Sequence, residues 1–416
     1  MKKVREGYKI TEFGEIPSEW EVKKLKDLGN SVIGLTYSPD DLVDGCNGTL
    51  VLRSSNIRNN RIVFDDNKYV NKDIQEKLIV KENDILICSR NGSKELIGKC
   101  ALIDKKAEGS SFGAFMTVYR SKYNKYLFNV FTSYMFKRQI YNNLGATINQ
   151  ITTDNLNNFK IIVPTIKEQE KIASILSTVD EQIDNVDALI EKNKELKKGL
   201  MQTLLTKGIG HTKFKKTEIG EIPEEWEVKT FKDISKVSQG LQIAIEERYK
   251  ELKEGRLPYI TIQYINDKLN SDNKYFIENF SESVVCKEDD ILMTRTGNTG
   301  IVVTNEIGVF HNNFFKVDFR RDLLNKDFLV WFLNTNLIQN LIIRYAGTTT
   351  IPDLKHGDFY KLPVVIPSLK EQEKIASILS EVDEKISKYK NKKQKLEELK
   401  KGLMQQLLTG MIRVTV

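Results

Sequence analysis

Two short polar loops carry the residue types best suited to hydrogen bonding with nucleic acid. Each follows an apolar, strand-like run: Ser89-Arg90-Asn91-Gly92-Ser93 in the first half of the chain and Thr294-Arg295-Thr296-Gly297-Asn298 in the second. Arginine can fork onto guanine or phosphate, asparagine can fork onto adenine, and hydroxyl groups can bind phosphate. Both loops are therefore candidate DNA contacts, although an ordinary turn with an exposed arginine has the same composition.

Further polar segments occupy comparable places in the two halves. The early segments contribute Arg53, Ser55, Asn56 and Arg58 in the first half and Gln263 and Tyr264 in the second; the late segments contribute Asn149 and Gln150, and Thr348 and Thr349. Loops on a rigid scaffold are a usual place for binding residues. We therefore add these side chains to the candidate DNA contacts, while each segment could equally be plain loop.

The sequence lacks the spacings that catalysis or metal binding would require. The segment from Gly92 to Cys100 resembles a phosphate-binding loop, but it is one residue too long and Cys100 replaces the hydroxyl that would hold magnesium. There is no GxGxxG, no GxSxG and no aromatic-flanked Asn/Asp-Pro-Pro motif of amino-methyltransferases. Four cysteines without a CxxC pair and three histidines make no convincing zinc site. We predict no catalytic residue, no metal and no cofactor bound by this chain.

Two sequence motifs occur twice, at nearly the same separation. Residues 167–177 and 370–380 both have the sequence KEQEKIASILS, and TEFGEIPSEWEVK at 11–23 returns as TEIGEIPEEWEVK at 217–229. The period is far longer than the ~20–50 residues of solenoid repeats, which indicates a duplicated domain. The duplication predicts a pseudo-two-fold protein and a partner with two matching half-sites.

A long helix is predicted at the end of each repeat. Thr165-x-x-Glu168 and Ser368-x-x-Glu371 have the form of a capping box, and each follows a proline. Behind them, apolar residues alternate steps of three and four, as in the seam of a coiled coil. About 40 residues at 1.5 Å each give a rod of roughly 60 Å. We expect the two helices to form an antiparallel coiled coil with the two bodies at opposite ends; the alternative is two separate helices, each on its own body.

The segments between these motifs mix strand-like and helical patterns. The predicted fold class is therefore α+β, with two mixed α/β domains joined by two long helices. The predicted boundaries are 1–163 for the first domain, 164–208 for the first helix, 209–366 for the second domain and 367–416 for the second helix and tail. The ends of each repeat are nearly identical while the middles diverge, which suits a shared frame holding two different recognition surfaces.

Composition sets wider limits on function. With 64 Lys and Arg against 57 Asp and Glu, the net charge of +7 is compatible with a nucleic-acid partner and equally with a solvated surface. No apolar run follows the basic start, and no segment approaches the ~20 apolar residues of a membrane span, so neither a signal peptide nor a membrane helix is predicted. Reduced cysteines and a cytoplasmic location are expected.

The motifs together resemble the specificity subunit of type I restriction–modification systems. The residues that carry the resemblance are Ile16-Pro17-x-x-Trp20, Ile222-Pro223-x-x-Trp226, the two KEQEKIASILS segments and the helix ends 196–206 and 399–409. The resemblance covers nearly the whole chain. It implies two target-recognition domains, each reading one half of a bipartite, asymmetric DNA site, with the paired helices as the spacer that fixes the gap.

The resemblance also implies that catalysis belongs to partner subunits. These would be methyltransferase subunits, expected in two copies, which bind S-adenosylmethionine, and restriction subunits that use ATP and Mg. This chain would be the non-catalytic DNA-recognition subunit and scaffold. The family's DNA contacts lie in variable loops, so no single contact transfers by motif, and the polar loops above stay the candidates.

Overall fold

The computed structural model describes residues 4–144, 149–268, 271–347 and 352–416. It divides into two compact units, which we call unit 1 (residues 1–187 and 391–416) and unit 2 (residues 188–390). Both units are mixed α/β and contain parts of two long helices, so the predicted fold class is confirmed. Unit 1 consists of two separate stretches of sequence and unit 2 of one, because the division between them falls within both long helices.

Unit 1 is built mainly from short strands. They are β1 (Tyr8–Thr11), β2 (Gly14–Pro17), β3 (Glu21–Lys24), β4 (Asn30–Ile33), β5 (Leu42–Val43), β6 (Thr49–Leu52), β7 (Ile57–Arg58), β8 (Arg61–Ile62), β9 (Tyr69–Val70), β10 (Ile85–Cys88), β11 (Cys100–Leu102), β12 (Ser111–Phe112), β13 (Met116–Arg120) and β14 (Lys160–Val163). Its helices are α1 (Asn124–Thr132), α2 (Tyr134–Asn143), α3 (Thr153–Asn158) and the first part of α4 (Ile166–Lys207).

Within the described residues, unit 2 has a similar order of elements, with added short helices and fewer short strands. Its strands are β15 (Phe214–Thr217), β16 (Gly220–Pro223), β17 (Glu227–Thr230), β18 (Ser235–Gln239), β19 (Leu257–Ile260), β20 (Phe276–Ile277), β21 (Val285–Cys286), β22 (Ile291–Thr294), β23 (Val302–Thr304), β24 (Gly308–Phe310), β25 (Phe314–Phe319) and β26 (Pro363–Ile366). Its helices are α5 (Phe231–Ile234), α6 (Ile262–Asn266), α7 (Lys326–Leu333), α8 (Asn336–Ala346), α9 (His356–Phe359) and the first part of α10 (Leu369–Leu407). Unit 2 also contains the last part of α4, and unit 1 contains the last part of α10.

Each unit contains a four-stranded antiparallel sheet that ends at the candidate loops. The strand order is β11-β10-β13-β4 in unit 1 and β18-β25-β22-β23 in unit 2. All four residues of β10 and of β22 are buried, which explains why these strands are apolar apart from Thr294. Cys88 pairs with Met116, and Thr294 pairs with Phe314. Cys88 and Thr294 are therefore equivalent positions, and the polar loops leave the two sheets at the same place.

The second four-stranded sheet of each unit is mixed. Its order is β12-β6-β9-β5 in unit 1 and β20-β19-β24-β21 in unit 2. Each contains one parallel pair, β12 with β6 and β19 with β24. The duplication predicted from two sequence motifs therefore extends through the divergent middle of the chain.

The long helices run antiparallel in both units, as predicted. In unit 1, Asp180 binds Lys400 at 2.6 Å and Asp187 binds Lys393 at 2.7 Å. Residue numbers therefore increase along α4 in the direction in which they decrease along α10. In unit 2, Lys197 binds Asp383 at 2.5 Å. Most residues of the predicted seam are buried, namely Ile172, Leu176, Val179, Val186, Ile190, Ile375, Leu379, Val382 and Ile386. Ile172 and Leu176 belong to the core of unit 1, and Ile375 and Leu379 belong to the core of unit 2. The start of each long helix therefore packs on its own body, and the ion pairs mark where it also meets the other helix.

The repeated glutamate at the start of α4 binds the repeated tryptophan of unit 1. The buried carboxylate of Glu168 accepts hydrogen bonds from Trp20 Nε1 at 2.8 Å, Thr165 Oγ1 at 2.8 Å and Arg413 Nε at 2.6 Å. Burial acts to raise the pKa of Glu168, but the bonds from Arg413, Thr165 and Trp20 together outweigh it and the pKa is lowered. Of the two contacts in the predicted capping box, the one from the Glu168 amide to Thr165 Oγ1 is long, at 3.5 Å. The Glu168 carboxylate binds the side chains of Trp20, Thr165 and Arg413, and so joins the helix to the start of the repeat.

Unit 2 makes the equivalent contact with different partners. Glu371 accepts from Trp226 Nε1 at 3.1 Å, lies 2.9 Å from His211 Nε2 and accepts from the Ile209 amide at 2.9 Å. Gly208, with φ of +64°, leaves no room for a side chain, since an added Cβ would lie 2.4 Å from Glu371. The two repeated motifs are therefore the two sides of one structural contact in each unit.

No helix in the described part of the chain is long and apolar enough to cross a membrane.

Candidate nucleic-acid interface

In unit 1 the structure brings together three of the predicted polar segments. Asn91 Nδ2 donates to Ser54 Oγ at 3.2 Å, which joins the segment 53–58 to the loop 89–93. The Asn91 amide donates to the Asn149 carbonyl at 3.3 Å, and Asn149 Nδ2 donates to the Gly92 carbonyl at 2.9 Å. We call this assembly, together with Phe115, the unit 1 loop cluster (residues 53–58, 89–93, 115 and 149–150). Segments distant in sequence thus form one polar surface at the end of β10.

Backbone pairing fixes the position of the loop 89–93. Arg90 forms an antiparallel β-bridge with Gln150, and the Ile151 amide donates to the Ser89 carbonyl at 2.8 Å. On the other side, the amides of Ser89 and Arg90 both donate to the Phe115 carbonyl at 3.0 Å. The backbone that carries Arg90 is therefore held from both sides by residues of the same cluster.

The predicted contacts in the unit 1 loop cluster differ in exposure. Ser55, Arg58, Arg90 and Ser93 are exposed, while Arg53, Asn91, Asn149 and Gln150 are half-buried. Arg53 and Arg58 form ion pairs with Asp66 at 2.7 Å and Asp65 at 2.8 Å. The Arg58–Asp65 pair is open to solvent, where exchange of a carboxylate for a phosphate costs little. Arg53 is more enclosed and also donates to the Asp66 carbonyl at 3.0 Å.

Two predicted contacts in unit 1 are internal. Asn56 is fully buried; its Oδ1 accepts from the Arg53 amide at 3.0 Å, and its Nδ2 donates to the Val63 carbonyl at 3.1 Å. The buried Ser89 hydroxyl donates to the Phe115 carbonyl at 3.1 Å. Their hydrogen-bonding groups hold the loops together, so we no longer count Asn56 and Ser89 among the proposed DNA contacts.

Phe115 belongs to the unit 1 loop cluster, although it was not among the residues predicted from the sequence. Its side chain is 57% exposed, and its ring centroid lies 5.1 Å from the guanidinium carbon of Arg90. The available signal was a Gly-Ala-Phe segment just before β13, which does not distinguish an exposed ring from a buried one. Lys99 was missed too; its Nζ donates to the Ser54 carbonyl at 3.2 Å.

In unit 2 the predicted Arg295 forms a half-buried ion pair with Asp353. Arg295 Nε donates to Asp353 Oδ1 at 3.1 Å, and Arg295 Nη2 donates to Asp353 Oδ2 at 3.0 Å. Thr296 Oγ1 also donates to Asp353 Oδ1, at 2.8 Å. The hydrogen bond from Arg295 lowers the pKa of Asp353, against the opposing effect of burial. Asp353 therefore ties the loop 294–298 to the segment that precedes α9.

The two loop arginines do not occupy equivalent positions. Counting from the equivalent residues Cys88 and Thr294, Arg295 corresponds to Ser89, and Thr296 corresponds to Arg90. The β-bridges agree, because Arg90 pairs with Gln150 as Thr296 pairs with Asp353. The similar appearance of the two loops in sequence hides a shift of one residue.

The other predicted contacts of unit 2 are dispersed. Thr294 is buried, and its hydroxyl accepts from the Ile301 amide at 2.8 Å, so we treat it as structural. Gln263 and Asn298 are exposed, and Tyr264 Oη donates to Glu306 at 3.4 Å. Thr348 and Thr349 lie outside the described residues. Gln263 lines an open cavity of about 320 Å³ with Arg248, Thr261, Ile262, His311 and Asn313.

Neither Cys88 nor Cys100, nor a further cavity of unit 1, provides a reactive centre at these loop surfaces. Burial raises the pKa of Cys88 to about 11 and of Cys100 to about 12, so both thiols stay protonated at neutral pH. A cavity of about 1020 Å³ in unit 1 lies between α1 and α4 and shares no lining residue with the unit 1 loop cluster. Within the described ranges, no group of His, Cys, Asp and Glu is arranged to hold a metal ion.

Comparison with known proteins gives a consistent result over the full length of the chain. The family described as Type I restriction modification DNA specificity domain matches residues 17–197 and 223–398. The putative type I restriction enzyme MjaX specificity subunit of Methanocaldococcus jannaschii is 30% identical over 98% of this chain and 97% of that protein. The MjaVIII specificity subunit of the same organism is 27% identical over 96% and 94%.

Two solved structures share the fold. The S subunit of a type I restriction–modification system from M. genitalium has a TM-score of 0.61 at 17% identity, with 95% of this chain and 97% of that chain covered. A chain from a study of complex assembly and conformational transition in the type I R-M system has a TM-score of 0.55 at 16% identity, with 95% and 99% covered.

Proposed function

We infer the function of this chain from its family: it belongs to the type I restriction–modification DNA specificity family, whose model matches both of its repeats. In this proposal the chain recognises a bipartite, asymmetric DNA site, and each unit reads one half-site. It also serves as the scaffold on which methyltransferase and restriction subunits assemble. The chain itself carries out neither methylation nor cleavage.

The observation that carries the proposal is the placement of two different side-chain sets on one repeated frame. The polar loops leave equivalent positions, Cys88 and Thr294, on sheets of the same topology. Unit 1 presents Arg90 where unit 2 has Thr296, and Phe115 where unit 2 has Asn313. Base edges are distinguished by such differences in donors, acceptors and apolar groups. Two unlike surfaces on a duplicated frame therefore support two unlike half-sites.

Within each loop surface we assign different roles to exposed and internal residues. Exposed cationic and amide groups, such as Arg58, Arg90 and Asn298, would contact phosphates or bases. Arg295 is a positioning residue, since its ion pair with Asp353 holds the unit 2 loop in place. Arg90 is the strongest candidate for a base contact, because a bidentate arginine–guanine contact contributes ~1–3 kcal/mol of discrimination.

The proposal assigns the chemistry to partner subunits. S-adenosylmethionine would be bound by methyltransferase subunits, expected in two copies because the frame is duplicated, and ATP and Mg by restriction subunits. The antiparallel helices support two copies, since each unit contains the start of one long helix and the end of the other. The raised pKa values of Cys88 and Cys100 are compatible with a chain that supplies no thiolate nucleophile.

The test is genome-wide mapping of methylated sites in cells with and without this chain, with the partner subunits present in both. We expect loss of one gapped, asymmetric motif. Arg90→Ala should relax the motif in one half only, and Asn298→Ala should relax only the other half. A continuous palindromic motif, or relaxation of both halves by one substitution, would contradict the assignment of one half-site to each unit. Purified chain given DNA, Mg and S-adenosylmethionine should neither cut nor methylate.

A further inference from the structure

The exposed ring of Phe115 lies on the surface that the proposed function assigns to DNA. A single exposed apolar side chain needs no explanation by itself. Phe115 is different because hydrogen bonds hold its backbone in place while its ring is exposed to solvent. Its carbonyl accepts from the amides of Ser89 and Arg90 at 3.0 Å and from the Ser89 hydroxyl at 3.1 Å. The ring is thus presented to solvent from a rigid support, which lowers the entropy cost of a contact.

The neighbour of the ring restricts what it can contact. The guanidinium carbon of Arg90 lies 5.1 Å from the ring centroid. Stacked bases in one strand are ~3.4 Å apart, so Arg90 and Phe115 are spaced to meet base pairs one or two steps from each other. A phenyl ring has no hydrogen-bonding atom, and the apolar group that a base offers in the major groove is the C5-methyl of thymine.

Unit 2 has a different residue at the same position. Phe115 directly precedes β13, and Asn313 directly precedes β25; the Asn313 carbonyl accepts from the Arg295 amide at 2.8 Å, as the Phe115 carbonyl accepts from the Ser89 amide. The backbone role is conserved between the repeats, whereas the side chain changes from apolar to amide. This is the pattern expected of a specificity-determining position on a shared frame.

We propose that Phe115 contacts the C5-methyl group of a thymine in the half-site of unit 1, within two base pairs of the base that Arg90 contacts. This inference rests on the proposed function, because it requires that the unit 1 loop cluster faces DNA. It goes further in naming the base feature recognised and the residue that recognises it.

The experiment uses the full chain with its methyltransferase partner and synthetic duplexes containing the mapped motif. Each thymine of the half-site affected by Arg90→Ala is replaced in turn by deoxyuridine, which removes only the C5-methyl group. One replacement should weaken binding to the wild-type complex about fourfold, the equivalent of ~0.8 kcal/mol for one buried methyl-sized group. Phe115→Ala should bind the thymine duplex about fourfold more weakly and should no longer distinguish it from the deoxyuridine duplex.

Two variants serve as matched controls. Phe115→Leu keeps an apolar side chain and should keep part of the preference for thymine. Asn313→Ala changes the equivalent position of unit 2 and should leave the deoxyuridine effect in this half-site unchanged. Because the Phe115 ring is exposed, the thermal midpoint of Phe115→Ala should stay close to that of the wild type, which separates recognition from folding.

Three outcomes would overturn the inference alone: a mapped half-site without thymine, no deoxyuridine effect in the wild type, or an equal effect in wild type and Phe115→Ala. A loss of affinity in Phe115→Ala that is the same for both duplexes would point to insertion between base pairs, and would equally overturn the methyl contact. Absence of any methylation motif that depends on this chain would overturn the proposed function, and the inference with it.

Discussion

Replacing Arg295 should destabilise unit 2, whereas replacing Arg90 should leave the stability of unit 1 nearly unchanged. Arg295 is 18% exposed and makes two charge-assisted hydrogen bonds to Asp353, which is 34% exposed. Such bonds contribute ~1.5–3 kcal/mol each when well shielded, and partial exposure reduces this by solvent screening. We expect Arg295→Ala to lower the free energy of unfolding by about 2 kcal/mol. Arg90 is exposed, and loss of its contact with the Phe115 ring should cost at most ~1 kcal/mol.

The assay is a double-mutant cycle measured by urea unfolding. Arg295→Ala, Asp353→Ala and the double variant should give a coupling energy of about 1.5 kcal/mol, because each single change removes the same interaction. The pKa of Asp353 is lowered in the folded protein, so this stabilisation is present above the ordinary aspartate pKa of ~3.9 and is lost as the pH falls through the lowered value. The coupling should therefore disappear in strong acid.

The same variants distinguish a positioning role from a direct DNA contact. If Arg295 acts by holding the loop, Arg295→Ala and Asp353→Ala should relax the same half-site to similar extents, and the double variant should be no worse than either. A coupling energy below about 0.5 kcal/mol, or loss of DNA binding in Arg295→Ala with full stability and no matching effect of Asp353→Ala, would refute the reasoning.

Three further predictions concern the frame. Glu168→Gln should lower the free energy of unfolding by about 1–3 kcal/mol at neutral pH, since a buried acceptor of charge-assisted bonds is weakened. The pKa of Glu168 is lowered in the folded protein, so in acid titrations the deficit should shrink as the pH falls below the ordinary glutamate pKa of ~4.3 and through the lowered value. Lys400→Ala should cost about 1–2 kcal/mol in thermal unfolding because the ion pair with Asp180 is largely shielded, while Lys388→Ala, at an exposed site, should cost almost nothing. A fragment of residues 1–210 should form a dimer in sedimentation and, with methyltransferase, direct modification of an inverted repeat of the first half-site; a monomer at micromolar concentration would contradict pairing through α4.

The sequence predicted the repeated elements well because their signals are local. The apolar steps of three and four give the helical seam, and the run at 85–88 gives a buried strand, each within a few consecutive residues. The repeats of Trp20 and Glu168 were visible as well, but their contact was not. The two residues are 148 positions apart, and the expected capping-box geometry gave no reason for the carboxylate to bind an indole.

The candidate site was predicted as a set of segments, and the structure separates their exposed side chains from their buried ones. Hydrogen-bonding side chains occur both in exposed loops and in the supports beneath them, so composition could not separate Arg90 from Asn56. Phe115 was overlooked for the opposite reason, since an apolar residue beside a strand is usually core.

By itself, the sequence determined the duplication, the long helices and the family, because these depend on residue order along the chain. Only the tertiary structure decided that the buried Thr294 shares a position with Cys88 and that Asp353 holds Arg295. Only the tertiary structure placed Phe115 beside Arg90. Strand register and long-range pairing fix these relations, and a shift of one residue in a loop changes which side chain faces solvent.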